Sequence, residues 1–533
     1  MSGLRAGEAH TNGDREMRSL TTYFSSMRSL VLSSSGASSK SSQAFKGISQ
    51  KPVLVMGNPS ADLDSFVSAV VTSFCYNLAA GNGNATHANK PTYIPILNLP
   101  SVRASDLWRL RPEFGVAMRL ALGESPETVG KEGREQGKTD ALKELITIGD
   151  IKTDEGSALH KLFVDSGNPD ATNERQPLFL VDHNAPAIPG VSDQAIAARF
   201  NVTACIDHHV DEDYIPRDAD PRIVTTGIGS CTSLVVTHLR ERGLWPSSPS
   251  SSSSTQHHQS GADVSSSPEV DAEMLQQISK LALAPILIDT WNLRAKGDKC
   301  SDTDREVVRF LESAIASSTA RTETPERAQS GPKAADWDRD AFFSSIATAK
   351  ANSLDLLTMQ EVFDRDYKAW TERTSSGRGS KEINIGISSL VKPLSWLVSH
   401  TAADQKGDGD DGVDAFLAEI ATFATSPARQ LGVFCLLTRT GDGRKEVAVV
   451  VLDEDARGAV DAFEEKSRDE LQLSNWAAAD GDSSGGSEQA RRLTEGLTRK
   501  FGEKGEWRIW WIGDTSKSRK QVGPLLREAV RDL

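Results

Sequence analysis

The segment Val202-Thr-Ala-Cys-Ile-Asp-His-His209 runs from a short apolar stretch directly into a carboxylate and two imidazoles. Three further apolar stretches also end in side chains that can bind metals: residues 53–56 before Asn58, Asp62 and Asp64, residues 178–181 before Asp182, and residues 285–288 before Asp289. Short runs rich in β-branched residues predict strands. Because these runs are almost continuously apolar, they are typical of a parallel sheet covered on both faces.

The stretches around these runs have the spacing of helices. Apolar residues recur at helical intervals in residues 63–78 and 230–239, and a helical stretch at 274–283 precedes the fourth run. The order of strands and helices predicts an α/β first domain with a doubly wound, mostly parallel sheet. Since ligands bind at the carboxyl ends of the strands in such sheets, we expect the four polar clusters to meet in one cleft.

The chemistry of that cleft points to metal ions. Carboxylates and imidazoles that meet there would shift each other's pKa values unless a cation lies among them. Such ligands, without thiolates, favour Mn²⁺, Mg²⁺ or Co²⁺ over a structural zinc, and a carboxylate shared by two ions is typical of phosphoryl hydrolysis. Taken singly, each cluster has a second interpretation, because an Asp after a strand is often a helix N-cap and a His pair is often merely exposed.

The composition argues against several classes of protein. The 533 residues carry a net charge of −14, which disfavours nucleic acid as a partner because duplex binding rests on clustered Lys and Arg. The sequence has no run of about 18 apolar residues, so we expect no membrane-spanning helix. Five scattered cysteines without a CxxC spacing argue against a disulfide scaffold and a structural zinc site.

The length of the chain predicts two or three domains. Residues 1–50 are rich in Ser and Gly and contain several Arg, and they predict a disordered leader, with a mitochondrial transit peptide as the alternative. We assign residues 51–345 to the α/β domain, with a Ser-rich insertion at 246–270, and residues 351–533 to a second, smaller domain. Gly- and Asp-rich stretches at 404–414 and 477–488 predict further solvated insertions.

Together these motifs resemble those of the DHH phosphoesterase superfamily. Asp207-His208-His209 is similar to its signature, and the other three motifs have counterparts, in the family's order, at residues 57–65, 182–184 and 289–290. The second half resembles the DHHA2 domain that fungal exopolyphosphatases and prune proteins share with family II inorganic pyrophosphatases, at residues 364–368 and 518–521. The resemblance covers about residues 51–533 and implies an α+β second domain.

The resemblance also implies roles for individual residues. Two divalent ions, Mn²⁺ or Mg²⁺ with Co²⁺ as a third candidate, would be bound in one cleft. One ion would be held by Asn58, Asp62 and Asp182, and the other by Asp64, Asp182, His208 and Asp289. His209 would contact phosphate and protonate the leaving oxygen, and Asp207 would orient an imidazole. The second domain would contribute three cations that bind phosphate: Lys368, Arg519 and Lys520.

The function that the resemblance implies is removal of terminal orthophosphate from linear inorganic polyphosphate by a cytoplasmic exopolyphosphatase. The alternatives are an inorganic pyrophosphatase and a prune-like interaction protein with weak phosphodiesterase activity. Asn58 stands where the pyrophosphatases have His, and the intact Asp207-His208-His209 favours a working hydrolase. The glycine-rich segment 227–233 opens a helix, so it is either a phosphate-binding turn or an ordinary loop. The sequence identifies no protein partner.

Overall fold

The structure, a computed structural model, divides into two compact units, Met1–Ser353 and Leu354–Leu533. It describes residues 19–32, 50–59, 61–81, 91–126, 140–164, 175–248, 267–322, 337–375, 380–404, 412–476, 484–502 and 506–533. Most of the predicted leader lies outside these ranges, at residues 1–18 and 33–49. So do parts of the predicted insertions, at residues 249–266, 405–411 and 477–483, whereas residues 484–488 of the third predicted insertion begin a helix.

A parallel sheet forms the centre of the first unit. Its five strands are β1 Val53–Met56, β2 Tyr93–Ile96, β3 Gln176–Val181, β4 Phe200–Asp207 and β5 Arg222–Val224. They lie in the order β2-β1-β3-β4-β5, and every neighbouring pair is parallel. Val53 and Val55 of β1 enter one buried cluster, whereas Leu54 and Met56 enter another on the opposite face. The prediction of a doubly wound parallel sheet is therefore confirmed.

Helices cover both faces of this sheet. They are α1 Leu20–Val31, α2 Leu63–Gly81, α3 Leu107–Leu110, α4 Pro112–Ala121, α5 Asp140–Lys143, α6 Ile148–Thr153, α7 His160–Phe163, α8 Asp193–Arg199, α9 Cys231–Glu241, α10 Ala272–Asp289, α11 Asp302–Thr322 and α12 Arg339–Ala351. Among the described helices, α2 alone is long and apolar enough to span a membrane, with a mean hydropathy of 1.2. The apolar window of this helix is 78% buried inside the protein, as expected for a helix of the core.

The fourth predicted strand is wrong. Residues 285–288 form the last turn of α10, which is buried along most of its length and ends at Asp289. Pro285 lies inside this helix and removes one backbone hydrogen-bond donor. A proline usually interrupts a helix, so its position favoured a helix end before residue 285. Four apolar residues do not distinguish a strand from a buried helix by their periodicity. Asp289 therefore projects from the end of a helix.

Part of the predicted disordered leader is ordered. Residues 20–31 form α1, and four side chains of this helix are buried: Leu20, Tyr23, Phe24 and Val31. The ring of Tyr23 contacts that of Phe74 in α2 edge to face, with centroids 5.3 Å apart. Ser19 caps the helix by accepting a hydrogen bond from the Thr22 amide, at 3.2 Å. The Ser- and Arg-rich composition of this segment led to the prediction of disorder, although one apolar face stabilises the helix.

The second unit has a mixed sheet of six strands, which confirms the α+β class. The strands are β6 Tyr367–Arg373, β7 Glu382–Ser389, β8 Val433–Arg439, β9 Lys445–Val451, β10 Leu473–Asn475 and β11 Trp507–Ile512. They lie in the order β10-β11-β9-β8-β7-β6, and of the neighbouring pairs β7 and β8 are parallel while the others are antiparallel. The helices are α13 Met359–Asp364, α14 Leu394–Asp404, α15 Val413–Thr425, α16 Ala459–Leu471, α17 Ser484–Phe501 and α18 Arg519–Arg531.

Candidate metal centre

Asp182 lies at the centre of the polar cluster. It follows β3 directly, and its backbone has a φ of 60°, in the left-handed region that aspartate tolerates better than most residues. The side chain is buried, and its Oδ2 accepts hydrogen bonds from Asn58 Nδ2 at 2.7 Å and Ser65 Oγ at 2.6 Å. The Oδ1 atom lies 3.1 Å from Nε2 of His208. One carboxylate thus joins the loops that follow β1, β3 and β4.

The ring of His208 is oriented as a metal ligand would be. Its Nδ1 donates to the carbonyl oxygen of Ile228 at 2.9 Å, so Nε2 is directed at Asp182. Imidazoles that bind metals commonly donate their other ring N–H to a carbonyl or carboxylate in this way. Possible ligand atoms of Asp182, His208 and His209 all lie within 4.8 Å of one another. These three residues form a cluster able to hold a metal ion.

Asp64 is held by the N-terminus of α9. Its carboxylate accepts hydrogen bonds from the Cys231 amide at 2.6 Å, the Thr232 amide at 2.9 Å and the Ser230 hydroxyl at 2.8 Å. The amide of Gly229 donates to Asp304 at 2.9 Å. Protein carboxylates therefore accept hydrogen bonds from three amides of the glycine-rich segment, which favours its interpretation as an ordinary loop. Asp64 Oδ2 remains 4.0 Å from Nε2 of His208.

The other predicted ligands differ in their surroundings. Asp62 is exposed and caps α2, since its Oδ1 accepts a hydrogen bond from the Ser65 amide at 3.0 Å. Asn58 donates to Asp182, while its own oxygen accepts a hydrogen bond from the Ala61 amide at 3.1 Å. Both residues have a structural role, and their binding of a metal stays a prediction.

Asp289 forms no ion pair with a described residue, although the positive charge of Lys350 lowers its pKa. It ends α10, where the helix dipole disfavours negative charge, and no described residue hydrogen-bonds to its side chain. Burial first, then the carboxylates of Asp64 and Asp62, raise the pKa of Asp289 well above its usual range. A cation bound at this position would relieve both effects.

The electrostatics of the cluster fit a divalent ion. Burial raises the pKa of Asp182 to about 7, against the hydrogen bond from His208, which lowers it. Burial lowers the pKa of His208, but the hydrogen bond to Asp182 and the charge of Asp64 outweigh it and raise the value to about 10. The pocket therefore favours positive charge at Nε2 of His208. Carboxylate and imidazole donors without a thiolate match Mn²⁺, Mg²⁺ or Co²⁺.

The carboxylate of Asp207 orients the ring of His209. Asp207 is fully buried, and its Oδ1 lies 2.8 Å from Nδ1 of His209, whose side chain is 55% exposed. The other oxygen of Asp207 accepts a hydrogen bond from Asn184 at 2.6 Å. The hydrogen bond to Asp207 raises the pKa of His209 against the opposing effect of burial. His209 thus presents its Nε2 edge to solvent at the predicted site.

The sequence assigned no individual role to the residues that hold these side chains in place, although they lie within the predicted motifs. They are short polar residues next to predicted ligands: Ser65, Asn184, Ser230 and Thr232. Gly57 also indicates the close packing of the loop after β1, because a Cβ atom at this position would lie 2.4 Å from Cβ of Ser65. A glycine is needed for this approach of the first loop to α2.

In the second unit, the three predicted phosphate-binding cations line one groove of about 570 Å³. Lys368 lies on β6, and Arg519 and Lys520 begin α18. Arg519 is fixed by Asp366, with 2.8 Å between its guanidinium and the carboxylate. Three further cations line the same groove and were not found from the sequence: Arg439, Lys445 and Arg527.

These observations indicate the class of protein to which the chain belongs. The first unit places a carboxylate–imidazole cluster at the carboxyl ends of a parallel sheet, and the second carries a basic groove, as in two-domain phosphoester hydrolases. Residues 52–263 match the family profile described as "DHH family, N-terminal domain", and residues 344–529 match that of the "DHHA2 domain". The chain belongs to the DHH phosphoesterase superfamily and contains a DHHA2 domain.

Comparison with individual proteins adds a relative of similar length. A protein of Schizosaccharomyces pombe named "Putative exopolyphosphatase" is 25% identical over 512 residues, which cover 95% of this chain and 96% of that protein. Among solved structures, the DHH domain of a protein described as a member of a family of ribosomal proteins is 11% identical over 95% of this chain and 96% of that chain. The TM-score of that match is 0.21, so it carries no inference about function.

Proposed function

We propose that this protein is a metal-dependent exopolyphosphatase that removes terminal orthophosphate from linear inorganic polyphosphate. The observation that carries the proposal is the contact of buried Asp182 with both Asn58 and His208, which unites three of the predicted motifs. Support for the substrate comes from the fission yeast relative, which matches nearly the whole chain, and from the basic groove of the second unit.

Two divalent ions, Mn²⁺ or Mg²⁺ or Co²⁺, are part of the proposal. Asn58, Asp62 and Asp182 would hold one, and Asp64, Asp182, His208 and Asp289 would hold the other. When bound, such ions lower the pKa of water and neutralise charge on phosphoryl oxygens. The protein contributes the shared carboxylate of Asp182, which Ser65 and Asn58 hold in a fixed orientation.

The remaining groups would act on the phosphate itself. His209 would donate a proton to the oxygen that leaves with the shortened chain, because Asp207 fixes its Nδ1 and leaves Nε2 toward solvent. Lys368, Arg519 and Lys520 would bind the phosphates, with Arg519 suited to a forked contact and the lysines to point charges.

The test is phosphate release by the purified full-length protein from pyrophosphate, tripolyphosphate and long-chain polyphosphate, with Mg²⁺, Mn²⁺, Co²⁺ or chelator. We expect metal-dependent release that is faster from the longer chains. Faster release from pyrophosphate would assign the protein to the pyrophosphatases. No release with any metal would favour a prune-like interaction protein and reject the proposal.

A further inference from the structure

Two cations of the second unit face each other across a strand pair. β8 ends at Arg439 and β9 begins at Lys445, and these residues are directly opposite in the antiparallel ladder. Side chains at opposite positions share one face of a sheet, and like charges placed there destabilise it. The fold therefore accepts a repulsion at the hairpin end of the β8–β9 pair that a neutral residue would avoid.

Neither cation is neutralised within the described residues. Arg439 is exposed and has no acidic partner there, and the amine of Lys445 donates to the carbonyl oxygen of Lys517 at 2.5 Å. Burial and the charge of Arg439 lower the pKa of Lys445, and the charge of Asp514 opposes them with a smaller effect. An anion from outside the chain would stabilise both side chains.

The groove has more positive charge than its own acids can balance. Its lining contains one carboxylate, Asp366, which is already paired with Arg519. Arg527 is paired with Glu372 at 2.5 Å. No ion pair joins Lys368, Lys520, Arg439 or Lys445 to an acid in the described part of the chain. Four cations in one groove of about 570 Å³ are therefore available to an anionic ligand.

We propose that Arg439 and Lys445 form an additional subsite, which binds internal phosphate units of a linear polyphosphate beyond those held by Lys368, Arg519 and Lys520. This inference rests on the proposed function and deepens it, because the subsite would set a preference for chain length. Every internal unit of the polymer carries a negative charge, so several cations that line one groove can bind several units of the same chain. Pyrophosphate has no internal unit and tripolyphosphate has one.

The experiment compares Arg439→Gln, Lys445→Gln and the double variant with the unchanged full-length protein. We expect the double variant to lose about tenfold or more in kcat/KM for long-chain polyphosphate, through KM, since charged hydrogen bonds are lost at one subsite. For tripolyphosphate the change should stay within about twofold. Arg439→Lys keeps the positive charge, so it should retain most of the long-chain activity that Arg439→Gln loses. Arg468→Gln, which removes an exposed cation outside the groove, is the matched control.

A binding measurement keeps this inference separate from the proposed function. Retention of long-chain polyphosphate by the full-length protein, measured without metal ions, requires no turnover. If the protein hydrolyses no phosphoanhydride but the double variant still binds long chains at least about tenfold more weakly, the subsite stands and the enzyme assignment fails. Equal losses for short and long chains, no loss at all, or the same loss in Arg468→Gln would overturn the subsite. Equal competition by a single-stranded oligonucleotide of matched charge would overturn it as well.

Discussion

Asp182 Oδ1 and His208 Nε2 lie 3.1 Å apart at the carboxyl ends of neighbouring strands. The register of the sheet creates this proximity, because Val181 of β3 pairs with Ile206 of β4. Each side chain leaves the sheet one or two residues after that pair, on the same edge. Asp64 approaches from α2 and reaches 4.0 Å from the same nitrogen. The parallel sheet thus brings together groups that are far apart in sequence.

Replacing Asp182 by Asn tests the central carboxylate. An amide has no charge to balance a cation, and its NH₂ group would face the donors of Ser65 or Asn58. We expect phosphate release to fall by about two orders of magnitude or more, while the fold is retained. Initial rates with saturating Mg²⁺ or Mn²⁺ measure the loss, and circular dichroism checks the fold. Asp193→Asn, at an exposed position on α8, is the control. Near-normal activity in Asp182→Asn would show that Asp182 does not bridge two metal ions.

Replacing Asp64 by Ala should instead cost stability as well as activity. The carboxylate accepts hydrogen bonds from two amides and two hydroxyls at the buried N-terminus of α9, and Ala removes this acceptor from all four, although the Thr232 hydroxyl keeps its hydrogen bond with Ser68. We expect a loss of about 3–5 kcal/mol in the free energy of unfolding of the first unit. Urea denaturation followed by tryptophan fluorescence measures it. An Asp64→Ala variant as stable as the unchanged protein would show that the helix does not depend on this carboxylate.

Arg519 and Asp207 should affect different kinetic constants. Arg519→Ala removes a cation of the groove, so we expect the KM for polyphosphate to rise by about tenfold or more. Asp207→Ala leaves that groove unchanged but frees the ring of His209, so its main effect should be on kcat. Steady-state kinetics on one chain length separates the two, and Arg519→Lys shows how much depends on charge alone. An unchanged KM in Arg519→Ala would reject phosphate binding by this residue.

Sequence patterns predicted three strands of the first unit's sheet and three of the helices around it. Three apolar runs became β1, β3 and β4, because a buried parallel strand leaves a continuous apolar signal. The run at 285–288 carried the same signal and became a helix, since four residues are too few to show a period. β2 and β5 were missed, and both are short strands at the edges of the sheet.

The residues of the candidate site also divide into those that a sequence pattern predicts and those that it does not. Asp182, His208 and His209 could be predicted because they follow strands whose carboxyl ends lie side by side, whereas Asp289 was placed after a strand and in fact ends a helix. Asn184 and Thr232 could not, because their importance lies in hydrogen bonds to Asp207 and Asp64 that exist only in the fold. Arg439 and Lys445 belong to no motif in the sequence, and the β8–β9 register alone sets them opposite each other.

The helix α1 leads to a prediction about the start of the chain. Leu20, Tyr23 and Phe24 belong to the main buried cluster of the first unit, and the guanidinium of Arg28 lies 3.1 Å from the carboxylate of Asp150. Because this segment completes the core, removing it should expose apolar surface of α2. We therefore expect a truncation that removes residues 1–18 to keep the stability of the full chain, and one that removes residues 1–32 to lose solubility or melt at a lower temperature.

A point substitution makes that test quantitative. Phe24→Ala opens a cavity in the core and should lower the free energy of unfolding by about 3–5 kcal/mol. Ser25→Ala, on the exposed face of the same helix, should change it by less than about 0.5 kcal/mol. Denaturant titration of both variants against the full chain measures the difference. If Phe24→Ala were as stable as Ser25→Ala, α1 would not be part of the folded core, and the segment would be free to act as a cleavable leader.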